Sequence, residues 1–97
     1  YIHVDDVTGA IYFLLKNAPN NEVFNIGSGN PYRFGDIIDM AYKFLDSKSD
    51  IHIIEPYEFH NIVQVKDMYL DVNKIKSLGF ENKVSLEAGI ERLCQEL

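Results

Sequence analysis

The stretch from Val7 to Leu15 constrains this 97-residue chain more than any other. Val7, Ala10, Ile11, Leu14 and Leu15 recur at helical spacing, and Tyr12 and Phe13 carry the apolar surface nearly all the way round. A helix of that kind is normally buried on more than one side, so it predicts a layered fold rather than a solvated single helix. Before it, Ile2 and Val4 alternate with Tyr1 and His3, a short strand signal. Asp6, or Asp5, can cap the helix by accepting from its free first-turn amides. Ala18-Pro-Asn-Asn21 stops it.

The rest of the chain alternates in the same way. Glu22 to Ile26 predicts a short strand, closed by the turn cluster Gly27-Ser-Gly-Asn-Pro31. A helix is expected from about Phe34 to Asp46, with Ile37, Ala41, Phe44 and Leu45 on one face. After the polar turn Ser47 to Asp50, Ile51 to Ile54 is an apolar, β-branched run before Pro56 and predicts another strand. Tyr57 to Lys66 is irregular and is expected to form the longest loop. Asp71 can cap a short helix over Val72 to Leu78, with Gly79 suited to its left-handed end. Ser85 can cap the last helix, whose Leu86, Ile90, Leu93 and Leu97 line one face. The pattern predicts an α/β fold, with short strands alternating with about four helices.

At this length the chain is one small domain, burying ~60–65% of its unfolded surface. With 46% hydrophobic and 25% charged residues it belongs among folded globular proteins. Its net charge of −6, with no basic run, gives no footprint for nucleic acid or an anionic membrane. The lone Cys94 forms no internal disulfide, fits a reducing compartment, and is expected as a buried structural thiol beside the last helix's apolar stripe. No basic, apolar leader opens the chain and no apolar run approaches the ~18 residues of a membrane span, so the cytoplasm is the expected location. The chain starts without Met in a strand-like run, which predicts a fragment of a longer protein.

Several patterns suggest chemistry and are better explained structurally. Gly27-Ser-Gly29 follows an expected strand, but a dinucleotide fingerprint needs a third glycine three residues on and an immediate helix; Tyr32 and Pro31 stand there instead. His3, Asp5 and Asp6, with His52 and His60, lack tight metal-ligand spacing, and the carboxylates suit a helix start. Ser28, Ser77 and Ser85 occupy turn or cap contexts, and nothing pairs them with a base.

Five blocks carry a resemblance: Tyr1-Ile-His-Val-Asp-Asp-Val-Thr-Gly-Ala-Ile11, Glu22-Val-Phe-Asn-Ile-Gly-Ser-Gly29, Tyr69-Leu-Asp-Val-Asn-Lys74, Leu78-Gly-Phe80 and Ser85-Leu-Glu-Ala-Gly-Ile90. In that order and spacing the chain resembles, over nearly its whole length, the C-terminal third of an extended short-chain dehydrogenase/reductase of the NAD-dependent nucleotide-sugar epimerase/dehydratase family. The resemblance implies a Rossmann-like C-terminal fragment. Residues 1–30 would be a strand–helix–strand at the edge of the nucleotide-binding fold, and 31–97 a substrate-binding lobe. It implies NAD(P) in the complete protein, a nucleotide-sugar substrate, and no cofactor site in this part.

Relatives carry a catalytic Tyr-x-x-x-Lys, and Tyr12 and Lys16 have that spacing. They follow the His-Val-Asp-Asp block, however, whereas the catalytic pair of relatives precedes it, so no catalytic residue is assigned. The family's Arg/Asp clamp on the nucleotide diphosphate falls at Asn61 and Gln64, which replace charges with amides. His60 and Lys66 lie close enough in sequence to supply positive charge. Tyr1 resembles the aromatic residue after another diphosphate-binding Arg, and Arg33 stands where relatives place a Ser or Thr cap. His60, Asn61, Gln64, Lys66, Tyr1 and Arg33 are thus the candidate substrate-binding residues.

Two rival readings stay open: a stand-alone binding or interaction module derived from such an enzyme, and a structural domain without a ligand. A Gly-x-x-Gly-x-x-Gly segment upstream would favour the enzyme. The apolar 7–15 helix further predicts that the isolated chain pairs through it, exchanges segments, or is only marginally stable.

Overall fold

The computed structural model describes residues 1–46, 48–63 and 68–96. Five helices follow in order: α1 (Val4–Asn17), α2 (Phe34–Phe44), α3 (Glu58–Val63), α4 (Asn73–Ser77) and α5 (Leu86–Gln95). Among the described residues there is no β-strand, which overturns the expected α/β, Rossmann-like fragment. A strand requires a ladder partner for its backbone N–H and C=O groups, and none of the three apolar segments expected as strands finds one here.

The alternation that suggested strands is nevertheless real at Glu22–Ile26. Phe24 and Ile26 turn inward onto the core, while Val23 remains 83% exposed. The segment docks by side chains onto helices instead of by hydrogen bonds onto a sheet. Ile51 to Ile54 docks nowhere comparable, and Ile53 is 98% exposed. At the start of the chain, helix geometry begins already at Val4, shortening the expected first strand to nothing.

The core is small. Ala10 of α1 meets Val72 and Ile75 around α4, all three buried, with Leu14, Phe24, Ile26 and Phe80 packed about them. The Phe13 and Phe80 rings lie 5.5 Å apart in a tilted arrangement that favours their quadrupoles. Lys74 ties the 22–24 segment to α4: its Nζ donates to Val23 O at 2.9 Å, pairs with Glu22 at 3.1 Å, and lies 4.5 Å from the centre of the Phe24 ring. Gly29 allows the close approach of the turn to this core, since its φ is +75° and a Cβ there would fall 2.7 Å from Val72 Cγ2.

A second contact joins α2 to α5, where the Cys94 thiol, expected to be buried but only half-buried, faces Ala41 O at 4.0 Å. The two units leave the molecule flat, 49 × 34 × 18 Å. Its radius of gyration is 16.6 Å, against about 13 Å for a compact chain of this length.

Helix ends follow the sequence in part. Ser85 caps α5, accepting from Ala88 N at 3.1 Å, and Gly79 takes a φ of +104° after α4. Asp71 Oδ1 accepts from Asn73 N at 2.9 Å, fixing the start of α4. The cap of α1, by contrast, is neither aspartate but His3, whose Nδ1 accepts from Asp5 N. α3 is a further departure, a turn and a half of helix inside the expected loop.

The burial of α1 is one-sided. Asp6 and Ala10 are buried, but Ile11, Tyr12 and Leu15 stay exposed, Leu15 by 82%. No helix of the described residues is long and apolar enough to cross a membrane.

Candidate functional site

A groove of about 1020 Å³ runs along α5. One wall is the entry to α1 from Tyr1 to Asp5, another the turn bearing Ser28, Asn30 and Tyr32, and its floor is Asn82 to Leu86 with Gly89 and Ile90. Ile37 of α2 closes one side.

The walls are held by contacts far apart in sequence. Asp6, only 4% exposed, uses both carboxylate oxygens: Oδ1 accepts from Lys83 N at 2.8 Å and Oδ2 from Val84 N at 3.0 Å. A buried carboxylate without a cation is tolerable when backbone amides replace its water. Its position in the first turn of α1 adds the favourable end of the helix dipole. Asn82 Nδ2 donates to Gly27 O at 2.9 Å and joins the floor to the glycine turn.

At the mouth, Arg92 Nη1 of α5 meets Asp5 Oδ2 at 3.3 Å. The His3 ring lies against Gly89, where a Cβ would come within 3.0 Å of His3 Cδ2. The lining thus mixes Asp5 and Glu96 with Lys83 and Arg92, and sets two tyrosines, Tyr1 and Tyr32, beside these charges.

Of the candidate substrate-binding residues, Tyr1 lines this groove. Arg33 is the N-cap residue of α2, exposed and without a side-chain cap bond, and is not among the lining residues. His60 and Asn61 sit on α3, away from the groove lining; the His60 ring lies about 6 Å from both Tyr57 and Phe59. Gln64 and Lys66 fall outside the described residues. The groove therefore gathers one of the six, and α3 carries two more.

Lys16 Nζ lies 4.4 Å from the centre of the Tyr12 ring, so this exposed pair makes a cation–π contact on the surface of α1. Among the described residues no group of three or more His, Cys, Asp and Glu side chains converges as a metal site. The residues that sequence reasoning missed are Asn82 and Arg92. Asp6, expected as a cap of α1, instead clasps the Lys83 and Val84 amides. Their partners lie 55, 87 and 77–78 positions away, and no local pattern carries such a signal.

No family model matches the sequence. No solved structure matches it either. Curated relatives do. An uncharacterized protein of Methanocaldococcus jannaschii is 27% identical over 95 residues, covering 97% of this chain and 28% of the relative. A putative UDP-glucose 4-epimerase of the same organism is 28% identical over 93 residues, covering 96% of this chain and 28% of the relative. An ADP-L-glycero-D-manno-heptose-6-epimerase of Brachyspira hyodysenteriae is 26% identical over 98 residues, covering all of this chain and 30% of that protein. The chain spans under a third of the length of these relatives, and the two with assigned activities are named as nucleotide-sugar epimerases.

Proposed function

We propose that this chain is the substrate-binding part of a nucleotide-sugar epimerase or dehydratase that uses NAD(P), and that it is inactive by itself. The observation that carries this reading is the match along 96–100% of the chain to relatives named for epimerising UDP-glucose and an ADP-heptose. Residues 1–30 would adjoin the nucleotide-binding part of the complete protein, and 31–97 would form the substrate lobe.

The chain's own glycine turn does not fit a dinucleotide, which supports placing the cofactor elsewhere. Gly29 faces the Val72 side chain, and α2 begins only at Phe34, beyond Pro31, so no helix amides stand next to the turn. In the complete protein a bound nicotinamide would supply hydride transfer. This chain would hold the nucleotide end of the sugar nucleotide. We assign that role to Tyr1 and Arg33 and to the 60–66 segment, through His60, Asn61, Gln64 and Lys66.

The test is substitution of His60, Asn61 and Gln64 by Ala, one at a time, in the complete protein, followed by substrate affinity measurements. Each lost amide or imidazole contact should weaken binding by about 2–10-fold, the worth of one hydrogen bond. Unchanged affinity in all three variants would assign the segment to structure alone. In parallel, calorimetric titration of the isolated chain with NAD and NADH should give no binding; a low-micromolar affinity would overturn the assignment of the cofactor to another part.

A further inference from the structure

His3 is an unusual N-cap, because Ser, Thr, Asp and Asn dominate that position. The other first-turn contacts of α1 do not need its ring: the amides of Asp6 and Val7 both donate to His3 O, at 3.0 and 3.2 Å. Only Asp5 N depends on the imidazole, donating to Nδ1 at 3.2 Å. Nδ1 can accept only while it carries no proton, so the cap requires the neutral ring with hydrogen on Nε2.

A second acceptor stands ready for the other state. Asp5 Oδ2 lies 3.6 Å from the same Nδ1 and already holds Arg92 at 3.3 Å. The ring cannot retreat far, because its side chain is only 21% exposed and rests on Gly89 of α5. The charged groups about it are Asp5 on α1 and Arg92 on α5, with Lys83 and Glu96 further along the groove.

We propose that His3 is a proton-operated latch at the mouth of the groove, exchanging the α1 cap for an ion bridge from His3 through Asp5 to Arg92. When Nδ1 gains a proton it becomes a donor facing the Asp5 amide, and that hydrogen bond is lost. The new N–H turns to Asp5 Oδ2, which then faces two cations. Acid thus releases the Asp5 amide in the first turn of α1, sets the imidazolium beside Arg92 on the same Asp5 oxygen, and redistributes the charge lining the groove. The latch is independent of the nucleotide-sugar reading and would operate whatever the groove binds.

The experiment is nitrogen-resolved NMR of the chain between pH 5 and 8. Imidazole nitrogen shifts report the His3 protonation state, and exchange of the Asp5 amide is compared with its intrinsic rate. As His3 takes its proton, protection at Asp5 should fall up to about tenfold, the equivalent of one hydrogen bond. The Asp6 and Val7 amides should hold theirs. His3→Asn retains an oxygen acceptor but does not titrate, so Asp5 should then stay protected throughout. His52 and His60 remain in that variant and serve as its control. Constant protection at Asp5 in the unaltered chain, or the same pH dependence in His3→Asn, would overturn the latch.

Discussion

Replacing Asp6 should damage this molecule more than any other single polar substitution in α1. The carboxylate is 4% exposed and closes two hydrogen bonds, at 2.8 and 3.0 Å, to consecutive amides of the loop that leads into α5. Hydrogen bonds to a charged group are worth about 1.5–3 kcal/mol each, and Ala removes both. Part of that returns because the half-buried amides of Lys83 and Val84 can recover some water, so about 3–4 kcal/mol is expected. Asn is a sharper probe. It keeps one oxygen, but its NH₂ must then face an N–H, so the loss should still be about 2–4 kcal/mol despite an almost unchanged shape. A domain of this size has about 5–15 kcal/mol in all, and a core with four buried apolar residues among those described belongs at the low end. Urea unfolding followed by circular dichroism, with a slope near 1 kcal/mol per molar, should show the midpoint fall by about 3–4 M for Asp6→Ala and about 2–4 M for Asp6→Asn. Amide exchange should rise first at Lys83 and Val84. Asp5→Ala, which removes an exposed carboxylate that pairs with Arg92 and faces His3, should cost under about 1 kcal/mol. An Asp6→Asn protein within about 0.5 kcal/mol of the original, with those two amides still protected, would refute the reasoning.

Gly29→Ala should lose about 2 kcal/mol or more in a thermal melt, since φ is +75° and the new methyl would collide with the buried Val72. Ser85→Ala should cost about 1 kcal/mol, read by the same melt, while Ser85→Asn should restore most of it. Ile75→Ala, at 3% exposure, should cost about 2–4 kcal/mol. Leu15→Ser in the isolated chain should stay within about 0.5 kcal/mol, because that side chain is 82% exposed.

What could be read from the sequence was local in origin. The Ser85 cap needs only a hydroxyl and an amide three residues on, and the stop after α1 needs only Pro19. Both are contained in a window of a few residues, and both appear as expected. The strand signals failed for the complementary reason. Alternation at Glu22–Ile26 reports that one side of an extended segment is apolar, which the inward Phe24 and Ile26 confirm, but it cannot report whether a ladder partner exists. α3 leaves no signal in the sequence because a helix of six residues, Glu58–Val63, is too short to display a periodic stripe.

The site was harder to read than the fold because it is made by closure. Asp5 and Asp6 are adjacent and chemically identical, and both suit a helix start by composition. Helical geometry separates them: at 100° per residue one carboxylate points along the groove mouth and the other turns under the helix toward residues 83 and 84. Neither is then free to cap α1, and the vacancy falls to His3, the residue with an acceptor nitrogen immediately before the helix. One choice of register therefore sets three roles at once: the buried clasp at Asp6, the exposed bridge at Asp5 and the imidazole cap at His3. Moving α1 by one residue would expose the clasp and bury the bridge. The Lys83 and Val84 amides would then lose their acceptor, and the groove would lose a wall. The 2.8 and 3.0 Å contacts of Asp6 are what exclude that alternative.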